Sequence, residues 1–229
     1  MKSYERDILP NSSKEISEKL KEILYNLNSK NSPYLVLHSD VLSFREIEFP
    51  IENSIRAFKE YSDETQTTFF FPAFSPSVCS IGKFSAKDTP STTGLIVEVI
   101  RKLPFSVRNN HPIDSYCSFG PQKDIVFKFC DKKLHDQGSA CEWFDNNDVY
   151  FISWGSLLST ITQIHYYEFQ RDLPYRYKKN FKGVVIENGN EKPYSFDFMV
   201  KKKHLTRNTT FDHINELLIK EVINNLNDI

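Results

Sequence analysis

The segment YLVLHSD, residues 34–40, is a short apolar run that ends abruptly in polar residues. A continuous apolar run, without alternation, is typical of a strand that is buried on both faces of a sheet. The segment TTFFF, residues 67–71, has the same character and runs into the loop PAFSPS, where proline stops regular structure. We therefore predict two buried strands that end in polar loops.

Helical periodicity surrounds these two strands. Apolar residues recur at helical spacing in residues 12–29, 51–61, 93–103, 157–170 and 209–229. Residues 149–154 predict a further strand, and residues 106–120 predict a loop. Strands with polar ends, alternating with helices, indicate an α/β architecture in which ligands bind beyond the strand ends.

Composition excludes several classes of protein. The 229 residues include 29 basic and 30 acidic side chains, a net charge of -1 that provides no general attraction to nucleic acid or to an acidic membrane surface. The start of the chain lacks the apolar stretch of a signal peptide, and no run approaches the roughly 18 apolar residues of a membrane span. We expect a cytoplasmic protein with neither nucleic acid nor membrane as a partner.

Cysteine and glycine usage narrows the chemistry further. The four cysteines, Cys79, Cys117, Cys130 and Cys141, fit no zinc-ribbon or CxxC spacing, so we expect reduced, buried thiols and no metal site. Only seven glycines occur, and neither GxGxxG nor a P-loop can be built from them. A nucleotide-containing ligand would need another kind of binding site.

The segment TITQIHYYE, residues 160–168, carries the strongest catalytic signal. Thr162, His165 and Glu168 recur every three residues, which places them on one face of a helix. A histidine with a carboxylate one turn away suits a general base, because the imidazole removes a proton and the carboxylate stabilises the imidazolium. The same spacing also fits a partly exposed His/Glu pair without function.

From residue 34 to residue 178, a series of short motifs resembles, in order, those of the aminoglycoside N3-acetyltransferase family, which is unrelated to the common GNAT acetyltransferases. The motifs are LVLHS at 35–39, FFFPAFS at 69–75, DTPSTTG at 88–94 followed by Glu98 and Arg101, RNNHPIDS at 108–115, Gly138-Ser139 with residues 148–155, the set Thr162, His165 and Glu168, and Pro174-Tyr175-Arg176. Each motif alone is unspecific, and the resemblance rests on the fact that the motifs occur in the same order as in the family.

The resemblance implies a fold, a cofactor and a reaction. The fold would be a central mixed β-sheet flanked by helices in a single compact domain, with an N-terminal helical region at 1–33, a CoA-binding and catalytic core at 34–178 and a shortened C-terminal part at 179–229. The cofactor would be acetyl-CoA, and the reaction acyl transfer to a primary amine. The oligomeric state stays open, with a homodimer among the alternatives.

The resemblance also assigns residues to roles. His165 would be the general base, supported by Glu168 and assisted by Thr162. The residues implied for CoA binding are His38, Ser39, Ser75, Arg108, His111 and Ser115, and those implied for the acceptor are Asp88, Ser91 and Glu98. On the sequence alone, Ser39 is equally an ordinary loop serine, residues 108–112 a polar turn, and Glu98 and Arg101 a surface ion pair.

Charge bears on the acceptor. Residues 171–207 contain ten basic and four acidic side chains, a balance of +6 that would repel a polycation and attract a phosphate. This balance favours a nucleotide-linked amino sugar of surface-polysaccharide biosynthesis, although Lys201–Lys203 also fit a solvated face. The alternatives are acetylation of an aminoglycoside, as in antibiotic resistance, and a catalytically eroded CoA- or sugar-binding module, because the chain is shorter than usual around 120–137 and after 183.

Overall fold

A computed structural model describes residues 13–40, 51–129, 134–135, 137–171 and 174–202. Its α-helices are α1 (Lys14–Leu27), α2 (Ile51–Thr65), α3 (Val78–Ile81), α4 (Leu95–Ile100), α5 (Ala140–Asp145) and α6 (Gln163–Gln170). Two 3-10 helices span Lys123–Lys128 and Leu158–Thr160. The strands are β1 (Tyr34–Ser39), β2 (Thr68–Pro72), β3 (Lys83–Ser85), β4 (Val107–Arg108), β5 (Tyr116–Phe119), β6 (Val149–Trp154), β7 (Arg176–Glu187) and β8 (Asn190–Lys201).

Five strands form the central sheet, in the order β4-β5-β2-β1-β6. Strand β1 pairs in parallel with both β2 and β6, whereas β5 pairs antiparallel with β2 and β4. The three parallel strands therefore end at the same edge of the sheet, with His38 and Ser39 at the end of β1 opposite Ser153 and Trp154 of β6. The predicted mixed sheet flanked by helices is confirmed.

Both faces of this sheet are covered, which explains why apolar and polar residues do not alternate along its strands. Phe69 and Phe71 of β2 pack with the buried apolar residues of α1, α2 and α4 on one face. Phe70 packs on the other face against Val126 of the first 3-10 helix and Phe144 of α5. All three phenylalanines are fully buried, so each side chain of the run contributes about 2 kcal/mol of hydrophobic stabilisation.

A second, three-stranded sheet lies beside the first, in the order β3-β7-β8. The hairpin of β7 and β8 pairs along its whole length and turns at Asn188-Gly189, both with positive φ. Its inner residues Val185, Tyr194 and Phe196 form a separate core with Phe84 and Ile113. Gly183 allows a close approach, because a Cβ there would overlap the Gly82 backbone.

Several elements differ from the sequence predictions. Residues 106–120 are not simply a loop, since they contain β4 and β5, and the hairpin of β7 and β8 was not predicted at all. The predicted helix at 157–170 is divided into a 3-10 turn and α6. The predicted tail helix at 209–229, Cys130 and Lys203 lie outside the described residues. The predicted division of the domain into an N-terminal helical region, a core at 34–178 and a C-terminal part stays a prediction.

Within the described residues, no helix has the length and apolarity that a membrane span requires. The described cysteines, Cys79, Cys117 and Cys141, are all free thiols.

Candidate active site

A cleft of about 590 Å³ opens where the parallel strands end. Its wall includes His38 and Ser39 from β1, Pro72 from β2, and Thr162 and His165 from the start of α6. The crevice beyond the carboxyl ends of parallel strands is the usual ligand-binding place in open α/β sheets. The structure thus brings together four of the predicted site residues.

His165 and Glu168 form a hydrogen-bonded pair in the wall of this cleft. The distance between Nδ1 of His165 and Oε2 of Glu168 is 2.7 Å, and the two residues lie three apart on α6. A carboxylate on Nδ1 orients the ring and selects Nε2 as the basic nitrogen. This geometry matches the arrangement that the sequence predicts.

Glu168 is held by two further residues from the start of β7. Arg176 donates from Nη2 to Oε2 at 2.7 Å, and the Tyr175 hydroxyl donates to Oε1. Burial opposes ionisation of the carboxyl, but the hydrogen bonds from His165 and Tyr175 and the charge of Arg176 lower the pKa of Glu168 to about 2. Burial and the same carboxylate raise the pKa of Tyr175 to about 12. The carboxylate therefore stays charged next to His165.

The end of β1 presents buried polar atoms to the cleft. Neither Nε2 of His38 nor Oγ of Ser39 has a hydrogen-bond partner among the described residues. Burial lowers the pKa of His38 to about 4, so its ring is neutral at pH 7. Gly94 approaches this loop closely, because a Cβ there would lie 3.2 Å from the Ser39 carbonyl oxygen. Buried polar groups without protein partners fit a ligand-binding position.

Arg108, Ser75 and Ser115 lie away from the cleft lining, in a buried cluster. Arg108 donates from Nε to Ser115 at 3.0 Å, from Nη2 to Ser75 at 2.9 Å, and to the carbonyl oxygens of Ala73, Ala86 and Thr89. The Ser115 hydroxyl donates to Ala73, and the Ser75 hydroxyl to Pro90. This Arg108 cluster joins the end of β2 to the loops after β3 and before β5, and its predicted CoA contacts stay predictions.

His111 is also buried outside the cleft lining. Its Nδ1 accepts hydrogen bonds from the backbone N–H groups of Asp114, at 2.8 Å, and Ile113, at 3.2 Å. These bonds place the ring proton on Nε2. Burial lowers the pKa of His111 to about 3. The ring therefore shapes the loop that carries Asp114, and its predicted contact with CoA stays a prediction.

The predicted acceptor residues Asp88, Ser91 and Glu98 form local contacts. Glu98 accepts from the Ser91 backbone N–H at 2.9 Å and pairs with Arg101 and Lys102. Hydrogen bonds from Arg101 and Lys102, against the opposing effect of burial, lower the pKa of Glu98 to about 2. The Asp88 carboxylate accepts from the Ser85 hydroxyl at 2.8 Å. None of the three lines the cleft, and their predicted role stays a prediction.

The sequence prediction missed four residues of the site. Asp40 and Asp114 bring carboxylates to the cleft wall, and Tyr175 and Arg176 hold Glu168. Tyr175 and Arg176 follow Glu168 in a recognisable motif, so their order in the chain was a usable signal. Asp114 lies inside the motif at 108–115 but was not singled out there.

Comparisons with known proteins agree with this fold. The family model of aminoglycoside 3-N-acetyltransferases matches residues 36–226. The YokD protein from Bacillus subtilis is similar in structure, with a TM-score of 0.68, 21% identity, and coverage of 82% of this chain and 83% of YokD. The apoenzyme of aminoglycoside acetyltransferase AAC(3)-IVa has a TM-score of 0.71 at 20% identity, covering 90% and 76% of the two chains. No functionally curated protein matches.

A third similar structure is the binary complex of AAC-IIIb with CoASH, with a TM-score of 0.72, 14% identity, and coverage of 91% of this chain and 84% of that one. The chain thus shares the α/β fold of these proteins. The family match then identifies the chain as a member of the aminoglycoside 3-N-acetyltransferase family. This membership confirms the predicted family, fold, N-acetyltransferase class and acetyl-CoA cofactor.

Proposed function

We propose that the protein transfers an acetyl group from acetyl-CoA to an amine of an aminoglycoside, with His165 as the general base. The observation that carries this proposal is the charge of the cleft that holds the His165–Glu168 pair. The exposed acidic residue Asp40 lies in its wall, and among the described residues no lysine or arginine lines it. Such a cleft suits a cationic acceptor.

The proton transfers follow from this arrangement. A primary amine is mostly protonated at pH 7 and cannot attack a thioester until a base has taken a proton. Nε2 of His165 accepts that proton while the charged Glu168 stabilises the resulting imidazolium. The amine nitrogen then forms a bond to the carbonyl carbon and the carbon–sulfur bond breaks. The departing sulfur takes the proton back from His165, and the nitrogen releases its second proton to solvent as the neutral amide forms.

The developing oxyanion of the thioester requires hydrogen-bond donors on the cleft wall. Ser39 and Thr162 both lie there, and the Ser39 hydroxyl has no partner among the described residues. A hydroxyl that is already buried and oriented stabilises such a charge more than water does. We assign these two residues to the thioester end of the cleft, together with His38.

The basic stretch that favoured a nucleotide-linked amino sugar does not support that acceptor in the fold. Residues 176–201 of the stretch form the β7–β8 hairpin, and those of its lysines that the structure describes lie outside the cleft lining. Lys192 pairs with Glu187, and Lys178 lies 3.8 Å from Asp197. The family match also favours an aminoglycoside over a nucleotide sugar. The aminoglycoside is therefore the better supported acceptor.

The test is a thiol-release assay at saturating acetyl-CoA with a panel of aminoglycosides and nucleotide-linked amino sugars. We expect turnover with at least one aminoglycoside, and a KM that rises in Asp40→Asn because a carboxylate is lost from the cleft wall. Tyr167→Phe, on the same helix as His165 but outside the cleft lining, is the matched control and should keep its activity. Turnover confined to nucleotide sugars would overturn the proposal.

A further inference from the structure

Asp114, His135 and Cys141 converge on one buried point beside the catalytic cleft. Asp114 precedes β5, His135 precedes α5, and Cys141 lies in the first turn of α5. One ligand atom from each lies within 4.8 Å of the other two. The side chains are 3%, 7% and 0% exposed. Three residues separated in sequence thus bring three different donor atoms together.

The donor set is that of a transition-metal site. A thiolate, an imidazole nitrogen and a carboxylate are all ligands of Zn²⁺, and three protein ligands are typical of a zinc site that keeps one position open. The distance between Sγ of Cys141 and Nδ1 of His135 is 3.6 Å. Two such ligands on a tetrahedral zinc ion lie roughly 3.5 Å apart, given the usual Zn–S and Zn–N bond lengths.

The buried carboxylate of Asp114 is a second, independent indication of a metal site. Among the described residues, no hydrogen bond ends on its carboxylate, although its side chain is almost completely buried and lines the cleft. Burial raises the pKa of Asp114 and of Cys141 because it disfavours their charged forms. A buried carboxylate without a donor is costly, and a bound cation removes that cost.

The surroundings hold the thiol in place. Gln163 of α6 donates from Nε2 to the Cys141 carbonyl oxygen at 2.9 Å, which ties α5 to the catalytic helix. The ring of His135 lies beside that of His165, with 5.8 Å between the centroids. The cluster is therefore fixed relative to the base by short contacts.

We propose that Asp114, His135 and Cys141 form a three-ligand site for a divalent transition metal, with Zn²⁺ the best match to the donors. The ion binds the thiolate of Cys141, Nδ1 of His135 and a carboxylate oxygen of Asp114. The thiol proton leaves to solvent, as does the carboxyl proton where it is present. Asp114 and His135 line the cleft, so the open coordination position faces the same space as Thr162 and His165.

The experiment titrates Co²⁺ into the full-length protein after treatment with a chelator. We expect one equivalent of cobalt to bind and to show thiolate-to-cobalt charge-transfer absorption with the visible bands of four-coordinate cobalt. Cys141→Ser should lose the charge-transfer band, while Cys79→Ser, a half-buried thiol on α3, should keep it. His135→Gln and Asp114→Asn should each weaken binding by about tenfold or more.

The absence of the charge-transfer band in the wild-type protein would overturn the proposal, as would its persistence in Cys141→Ser. The 3.6 Å contact would then be a hydrogen bond from the thiol to the imidazole. Circular dichroism checks that each variant folds. If Cys141→Ser does not fold, the wild-type spectrum and His135→Gln decide, because unaltered cobalt binding in His135→Gln also excludes the site. None of these measurements depends on acetyl transfer.

Discussion

Two groups of polar side chains from the family motifs differ in their hydrogen bonding. One group has polar atoms without protein partners, and the other is hydrogen-bonded within the protein. At the end of β1, His38 and Ser39 keep polar atoms without partners among the described residues and face the cleft. In the Arg108 cluster, Ser75 and Ser115 direct their hydroxyls to backbone carbonyls, and Arg108 makes five hydrogen bonds within the protein. Both groups had the same predicted role in CoA binding.

The difference shows how a motif residue is best assigned. A side chain whose donors are all used inside the protein contributes to the position of the loops, whereas one with spare donors in a cleft can bind a ligand. Substitutions should therefore separate the two groups into effects on turnover and effects on stability.

The largest expected effect is on turnover. His165→Ala should lower kcat/KM by about 10² to 10⁴, the usual contribution of a positioned general base, while the midpoint of urea unfolding changes little. Steady-state kinetics with acetyl-CoA and the best aminoglycoside measures it, with Tyr167→Phe as the control on the same helix. Turnover within threefold of wild type would remove His165 from the role of base.

Arg108→Met should mainly affect stability. The substitution removes five hydrogen bonds, among them those to the carbonyl oxygens of the half-buried Ala86 and Thr89. The free energy of unfolding should therefore fall by about 3 kcal/mol. Lys102→Met is the control, because Lys102 is an exposed partner of Glu98 and should change stability by less than about 0.5 kcal/mol. A variant as stable as wild type that no longer binds CoA would place Arg108 in the ligand site.

The next effect concerns the pH dependence of stability. The pKa of His111 is lowered to about 3 in the folded protein, whereas an unfolded chain protonates histidine near pH 6.5. The unfolded state therefore binds one more proton between these values, so stability is present above about pH 6.5 and falls by about 1.4 kcal/mol per pH unit as the pH decreases.

His111→Asn should reduce that slope by the same amount, measured by urea unfolding between about pH 6 and pH 4. His38 and His135, whose pKa values are lowered to about 4 and about 3 by burial, contribute in the same direction in both proteins and cancel in the difference. Equal slopes in the two proteins would show that His111 is protonated in the folded state.

The smallest effects compare two serines directly. Ser115→Ala should lower the free energy of unfolding by about 2 kcal/mol because it removes two buried hydrogen bonds, one to Ala73 and one from Arg108. Ser39→Ala should change stability by less than about 0.5 kcal/mol, since its hydroxyl has no partner among the described residues. Its turnover should fall by about tenfold, with Thr162 still available to the oxyanion. The opposite pattern would exchange the roles of the two serines.

Much of the fold followed from local order in the chain. The runs YLVL and TTFFF became β1 and β2, because a strand covered on both faces needs apolar residues without alternation. The spacing of His165 and Glu168 predicted their contact, since residues three apart on a helix are neighbours. The hairpin of β7 and β8 escaped prediction because its many lysines obscure the alternating pattern of a half-buried strand.

The sequence by itself determined the apolar strands with polar ends, the family motifs and the His/Glu spacing, because each depends on residues close together in the chain. Only the tertiary structure decided which polar residues face the cleft and which satisfy their hydrogen bonds within the protein. The pairing of β5 with β2 brings Ser115 to Ala73, and the packing of α5 beside the loop before β5 brings Cys141 to Asp114. Contacts between distant segments have no local signature, since they arise from sheet order and core packing.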